Sequence, residues 1–328
     1  MTSMNADRRQ FLGQAASLVA ASSALNAVAR ASADKPERVV NRNSPAAASG
    51  TLVLGGDLEV SRMGFGAMRI TGEGIWGEPR DPREARAVLR RVTELGVNFI
   101  DTADAYGPMV SERLIAEALQ PYARGLVVAT KGGMTRSGPN KWTPDCRPAH
   151  LREACEASLK RLKLQQHAVY QLHAVDSAVP YEDSVGELAK LQQEGKIRHI
   201  GVSNVNVEQL QRARALVKVV SVQNFYNVAT RNSEDVLKVC ERDGIAFIPW
   251  GPLALRAQAS DKPNAALQAL REIAQQRSLD MSQATLAWLL AKSPVMLPIP
   301  GTSSLAHLEE NVAAAHIRFS ADEMRHIG

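Results

Sequence analysis

Four side chains spread along the sequence can together deliver a proton and steer a hydride: Asp101, Tyr106, Lys131 and His173. Reducing a carbonyl needs hydride on carbon and a proton on oxygen. A free tyrosine, with a pKa of about 10, is a slow donor. An ammonium buried beside it favours the phenolate and lowers that pKa. A carboxylate holds the lysine and offsets its desolvation, and a histidine donates to the carbonyl oxygen and orients it. Asp101, Tyr106, Lys131 and His173 fill these roles. No side chain supplies hydride, so the set implies a redox cofactor. Singly, each residue has a plainer reading as a helix cap, a turn aromatic, a solvated strand end or a loop histidine. Only a fold that brings them to one place makes them a site.

The elements between them suggest such a fold. Short apolar runs occur at 97–100, 126–129, 169–172, 197–202, 219–222, 245–248 and 295–299, after a first short strand at 62–66. Between them lie amphipathic stretches at helical spacing, among them 111–119, 148–162, 184–194, 207–216 and 233–242. Asp81-Pro82-Arg83-Glu84 reads as a helix start, and Leu95-Gly96 as its end. Strands alternating with helices imply parallel pairing through right-handed crossovers. Eight of them fit an α/β fold, a (β/α)8 TIM barrel over 51–328, preceded by a β-hairpin at 52–60 around Gly55-Gly56. An open doubly wound sheet is the alternative; no G-x-G-x-x-G follows an early strand to support it.

In a parallel barrel the active site lies at the carboxyl ends of the strands. Those ends read Asp101-Thr102-Ala103-Asp104-Ala105-Tyr106-Gly107, Thr130-Lys131, Gln171-Leu172-His173, Gly201-Val202-Ser203-Asn204, Gln223-Asn224 and Pro249-Trp250. One mouth would gather all of these polar and aromatic side chains.

The amino terminus reads differently. Arg8-Arg9-Gln10-Phe11-Leu12 precedes an Ala-rich apolar stretch and a small-residue cleavage pattern at Ala31-Ser32-Ala33, the three regions of a signal peptide. The arginine pair points to the twin-arginine (Tat) route, and residues 1–33 resemble Tat signals. The apolar run is too short and too rich in Ala and Ser for a permanent membrane anchor. Residues 34–50, polar with Pro36 and Pro45, read as a linker. The expected location is periplasmic or otherwise exported, with the Tat translocation machinery as a partner.

The formal net charge is +5, but the first 50 residues carry six basic and three acidic side chains, leaving about +2 for the barrel. No dense basic stripe marks a nucleic-acid partner. Cys146, Cys155 and Cys240 form an odd, scattered set without metal spacing, so neither a metal site nor a disulfide framework is expected.

At these residues the chain resembles the aldo-keto reductases. The likeness covers about residues 52 to 327 and rests on Asp101-Thr102-Ala103, Tyr106-Gly107, Thr130-Lys131, Gly201-Val202-Ser203-Asn204, Ile299-Pro300-Gly301-Thr302-Ser303-Ser304 and Glu310-Asn311. The resemblance implies a barrel that binds NADPH, or less strongly NADH, in extended form. It implies a catalytic tetrad of Asp101, Tyr106, Lys131 and His173, acting on a small carbonyl substrate. It further implies that Ser203, Asn204 and Gln223 hold the nicotinamide carboxamide and Trp250 its ring. Gly251 to Leu253 would border the pyrophosphate. Gly301, Thr302, Ser303, Ser304, His307, Glu310 and Asn311 would surround the adenosine end. Many members carry a lysine and an arginine at the positions that Gly301 and His307 hold here.

Gly64-Phe65-Gly66-Ala67-Met68, Gly77-Glu78-Pro79-Arg80-Asp81 and the Pro300-Gly301-Thr302-Ser303-Ser304 run give a closer resemblance to pyridoxal reductases, also called pyridoxine 4-dehydrogenases. Trp76 and Trp142 are candidate walls for an aromatic or apolar aldehyde. The competing reading is a non-catalytic NADPH-binding regulatory or sensor protein on the same fold, which a complete tetrad argues against.

Overall fold

The computed structural model describes residues 41, 43–255 and 264–328. The expected signal over 1–33 and residues 34–40 and 42 of the expected linker lie outside them. The packed body nevertheless begins before residue 51. A 3-10 turn over Pro45–Ser49 buries Ala46 completely, and Ala46 N donates to Leu95 O at 3.0 Å. Ser49 and Ser61 share a buried hydroxyl hydrogen bond of 3.0 Å. Small side chains let this turn lie flush on the barrel, so 44–50 belongs to the fold and the linker expectation does not hold there. No helix among the described residues is long and apolar enough to cross a membrane.

Strands β1 (Thr51–Leu54) and β2 (Leu58–Ser61) form the expected antiparallel hairpin, with Leu54 opposite Leu58. Leu54 and Val60 are buried in one cluster with Phe99, Val127, Val169 and Leu297. The hairpin thus plugs the amino-terminal end of the barrel.

The barrel strands are β3 (Phe65–Gly66), β4 (Phe99–Asp101), β5 (Val127–Gly132), β8 (His167–Leu172), β9 (Ile197–Ser203), β10 (Val219–Phe225) and β11 (Ala246–Trp250). They are parallel and neighbour one another in that order. A second hairpin, β6 (Met134–Gly138) and β7 (Lys141–Pro144), stands in the loop after β5.

The expected eighth strand at 295–299 is not a regular one, because Pro298 and Pro300 have no N–H to give to a ladder. It still bonds on both sides. Phe247 N donates to Val295 O and Leu297 N to Phe247 O, each at 2.9 Å. Gly64 N donates to Pro298 O at 2.9 Å and Gly66 N to Pro300 O at 3.3 Å. The Arg62 guanidinium reinforces this stave by donating to Leu290, Ser293 and Met296 carbonyls. The sheet therefore closes as a (β/α)8 barrel.

Around it lie α1 (Pro82–Glu94), α2 (Val110–Leu119), α3 (Pro148–Leu162), α4 (Tyr181–Gln193), α5 (Val207–Leu216), α6 (Glu234–Asp243), α7 (Ala265–Gln276), α8 (Met281–Lys292), α9 (Leu305–Ala313) and α10 (Ala321–Ile327). The first six coincide with the amphipathic stretches to within a few residues. Asp81 caps α1 by accepting from Arg83 N and Glu84 N.

Strand alternation places the chemistry. On β5, Val127 and Ala129 join the interior cluster, while Thr130 turns outward and donates to Glu112 of α2 at 2.6 Å. Lys131, two residues past Ala129, therefore points inward. The same period sets Asp101 above Phe99 on β4, and Gln171 and His173 above Val169 on β8. Near the upper rim the interior stops being apolar.

Candidate active site

Lys131 is fully buried, which is costly for an ammonium unless it is paired. Its Nζ donates to Asp101 Oδ1 at 2.6 Å, to Thr102 O at 2.9 Å and to Tyr106 Oη at 3.2 Å. All three of its donor sites are used. Asp101 is in turn held by two amides: Gln171 Nε2 donates to its Oδ2 at 3.1 Å and Gln223 Nε2 at 2.8 Å. Gln171 crosses the interior only because its neighbour on β9 is Gly201. A Cβ there would lie 2.9 Å from Gln171 Cγ and 2.3 Å from Ser221 Oγ.

The electrostatics follow from burial. Burial opposes charge on Lys131, but Asp101 and then Tyr106 outweigh it, and the Lys131 pKa is raised. For Tyr106 burial raises the pKa, Lys131 lowers it and Asp101 raises it again; the net direction is up. Lys131 does lower the Tyr106 pKa, as expected, but burial outweighs it. Tyr106 stands as a protonated phenol in contact with an ammonium. His173 is held well below the usual histidine range, first by burial and then by Lys131 and Arg136. It is a neutral imidazole.

Tyr106, His173 and Trp142 form an edge-on aromatic box. The ring centroids are 5.8 Å apart for Tyr106 and His173, and 6.2 Å from Trp142 to each of them. Trp142 reaches the site from β7. The Arg136 guanidinium carbon stacks 3.6 Å from its ring centroid and lies 5.9 Å from that of Trp76. Arg136 also donates to Gly74 O and Ile75 O at 2.9 Å and to Ala105 O at 3.0 Å, tying three rim loops together.

A cavity of ≈ 540 Å³ opens over this array. It brings together Asp101, Tyr106, Trp142, His173, Ser203, Asn204, Gln223, Trp250, Gly251, Leu253 and Gly301, all of them sequence candidates. Thr302 and Ser303 line an adjoining polar cavity of ≈ 380 Å³, which Gly301 also borders. Ser304, His307, Glu310 and Asn311 line neither. Ser304 caps α9 through His307 N, and the other three lie on that helix. Trp76 does not line the cavity either; its ring faces Arg136, so its expected role as a pocket wall is not what the structure has.

The three proposed carboxamide partners are already engaged with one another and with the barrel. Ser203 Oγ donates to Gln223 O at 2.6 Å. Asn204 Nδ2 donates to His173 O at 3.0 Å, and Asn204 Oδ1 accepts from Trp250 Nε1 at 2.9 Å. Trp250 also packs on Phe225, with centroids 4.5 Å apart. Asn204 adopts φ 58°, the left-handed region that asparagine tolerates better than most residues, and this lets its side chain turn back toward His173.

Sequence reading placed Gln171 at the mouth without a role and did not single out Arg136 or Arg69. Gln171 had a signal: it lies two residues before His173 on one strand, hence on the same face. Arg136 lies on the short strand β6 and Arg69 in a 3-10 turn over Ala67–Ile70, rim excursions too short for periodicity to announce direction.

Comparison with known proteins agrees with this geometry. The model of the aldo/keto reductase family matches residues 62–328. The chain is 50% identical over 277 residues to an uncharacterized oxidoreductase of Schizosaccharomyces pombe, spanning 84% of this chain and 88% of that protein. It is 40% identical over 280 residues to pyridoxine 4-dehydrogenase of Escherichia coli, spanning 84% and 96% respectively. A glycerol dehydrogenase structure from Gluconobacter oxydans superposes with a TM-score of 0.76 at 27% identity, over 85% of this chain and 94% of that one. An aldo/keto reductase from Klebsiella pneumoniae, in complex with NADP and acetate, gives 0.70 at 27% identity, over 84% and 93%.

Proposed function

The chain belongs to the aldo/keto reductase family of oxidoreductases, and we propose that it reduces an aldehyde or ketone to an alcohol with NADPH, Tyr106 serving as the acid. The observation that carries this reading is the Asp101–Lys131–Tyr106 array, buried in the barrel beneath a cavity that Asp101, Tyr106 and His173 all line.

The residues present fit a dinucleotide. The cavity runs from Tyr106 past Trp250 to Gly301, and the Gln223 amide oxygen has no protein partner among the described residues. Ser203, Asn204 and Gln223 would hold the carboxamide, and Trp250 would cover the ring. Gly251 to Leu253 would flank the pyrophosphate. Gly301 to Ser304, with His307, Glu310 and Asn311, would flank the adenosine end. When bound, the nicotinamide supplies the hydride.

The rest falls to side chains. Tyr106 Oη gives its proton to the carbonyl oxygen, and the Lys131 ammonium beside it stabilises the phenolate left behind. Asp101, fixed by Gln171 and Gln223, keeps Lys131 charged and in place. His173 Nδ1 is buried without a partner. An unpaired N–H there would cost more than an unpaired lone pair, so the proton sits on Nε2, the nitrogen left to orient the carbonyl. The box of Trp142, Tyr106 and His173 suits a flat aromatic or apolar aldehyde, and the likeness to pyridoxine 4-dehydrogenase makes a pyridoxal-like ring the first candidate. Purified protein given NADPH and a panel of aldehydes, pyridoxal included, should oxidise NADPH in step with alcohol formed. Cofactor binding without turnover on any aldehyde or ketone would favour the sensor reading instead.

We also propose that residues 1–33 direct Tat-dependent export. The support is the Arg8-Arg9 pair ahead of an Ala-rich stretch. Changing both arginines to lysine keeps the charge and should leave folded precursor in the cytoplasm. Unchanged export of that double variant in cell fractionation would exclude the route.

A further inference from the structure

We propose that Arg69 is the cationic grip on the dinucleotide's pyrophosphate. Arg69 follows β3 in the first rim loop and lines both cavities: the one over Tyr106, and the polar one that continues past Thr302 and Ser303. It is exposed, and its guanidinium makes no hydrogen bond or ion pair with any described residue. Other arginines are spoken for: Arg136 is spent on five backbone carbonyl oxygens around the rim, and Arg62 on three beneath it. Among the described residues lining the larger cavity, Arg69 is the one permanent cation, since Lys131 is sealed beneath Tyr106 and His173 is neutral.

The backbone explains why the charge comes from this side of the cleft. A Cβ at Gly301 would lie 2.5 Å from Gly66 O and 3.5 Å from Arg69 Cγ. Position 301 therefore cannot carry a side chain without moving β3, and the Arg69 stem lies over the space that a side chain there would enter. Arg69 is shared by the cavity that holds Tyr106 and the one that holds Thr302 and Ser303, and so belongs to the stretch between those two ends. In an extended dinucleotide this stretch is the doubly charged pyrophosphate, which a guanidinium meets with paired, charge-assisted hydrogen bonds. Glu73 is the acidic residue of the polar cavity, and it is not paired with Arg69.

This inference rests on the reductase reading, and the test separates the two. Dissociation constants for NADPH and NADH are measured by fluorescence on the full chain and on the Arg69→Gln and Arg69→Lys variants, with circular dichroism to verify folding. Arg69→Gln should weaken both cofactors by the same factor, about tenfold or more, and Arg69→Lys should recover part of the loss. The unmodified protein should also lose affinity more steeply with salt than Arg69→Gln does. Loss confined to NADPH would move the charge to the 2′-phosphate and overturn the pyrophosphate assignment. Unchanged constants in Arg69→Gln would overturn the role altogether. Failure of the unmodified protein to bind either nucleotide would instead strike the functional reading.

Discussion

Tyr106 sits between opposing forces. Burial holds its proton on, Lys131 draws the phenolate toward stability, and Asp101 decides how much charge Lys131 can lend. In the reductive direction this balance suits an acid that is fully protonated until the carbonyl oxygen becomes basic. Residues proposed for the adenosine end of the cofactor bear on its choice. Gly301 and His307 stand where two permanent charges would grip a 2′-phosphate, while Thr302, Ser303 and Ser304 keep neutral donors. Neutral hydrogen bonds contribute roughly 0.5–1.5 kcal/mol and charge-assisted ones about 1.5–3. NADPH should therefore be preferred over NADH, but by a narrow margin in kcat/KM. A clear preference for NADH would remove the hydroxyl donors from the account. The tetrad was legible because tyrosine, lysine, aspartate and histidine have distinct chemistry and each follows an apolar run. Arg69 and Arg136 were not, because an arginine in a short rim excursion reads the same whether it meets solvent, a tryptophan or a phosphate.

The barrel was legible from the alternation of apolar runs with amphipathic helices, and its inward positions followed from a period of two. Its closure was not. The eighth stave is interrupted by Pro298 and Pro300, and what joins it to β3 is a backbone approach that no side-chain pattern records. At that joint a Cβ on Gly301 would lie 2.5 Å from Gly66 O, and one on Gly66 would lie 2.6 Å from Ile299 O. Neither contact can be relieved by rotating a side chain. Gly66→Ala and Gly301→Ala should each cost about 1–3 kcal/mol in unfolding experiments, the range of overpacked cores. Two unaltered melting curves would mean that the joint is looser than its geometry. The small-residue turn at 45–49 was illegible for a related reason: polarity averaged over 34–50 hides five residues whose smallness lets them pack.

For the molecule as a whole, buried neutral histidines make acid stability a test of the packing. His167 is fully buried, its Nε2 lies 3.1 Å from Cys155 O, and burial brings its pKa down to about 4. In the unfolded chain a histidine takes its proton at about 6.5. Its folded pKa lies below its unfolded one, so stability is full above about 6.5 and is lost as pH falls toward about 4. Between pH 7 and 5 the loss from this residue should be about 2 kcal/mol. Among the carboxylates, Glu194 and Asp243 are held down to about 2 by their arginine partners and change little in that window, whereas burial pushes Asp104 up to about 8, so Asp104 works in the opposite direction and favours the fold as pH falls. Urea titrations at the two pH values should show about 2 kcal/mol less loss of stability on acidification for His167→Gln than for the unmodified chain. Equal differences would mean that His167 is not held neutral.

The central claim, that Tyr106 delivers the proton, is tested most directly by Tyr106→Phe with two readouts on one preparation: NADPH oxidation by an accepted aldehyde, and NADPH binding followed by fluorescence. The variant should lose nearly all turnover, a factor of at least about 100, the low end of what a positioned general acid contributes. Its NADPH affinity should stay within a few-fold of the unmodified protein's. Near-normal turnover with intact binding would contradict the assignment of Tyr106 as the acid.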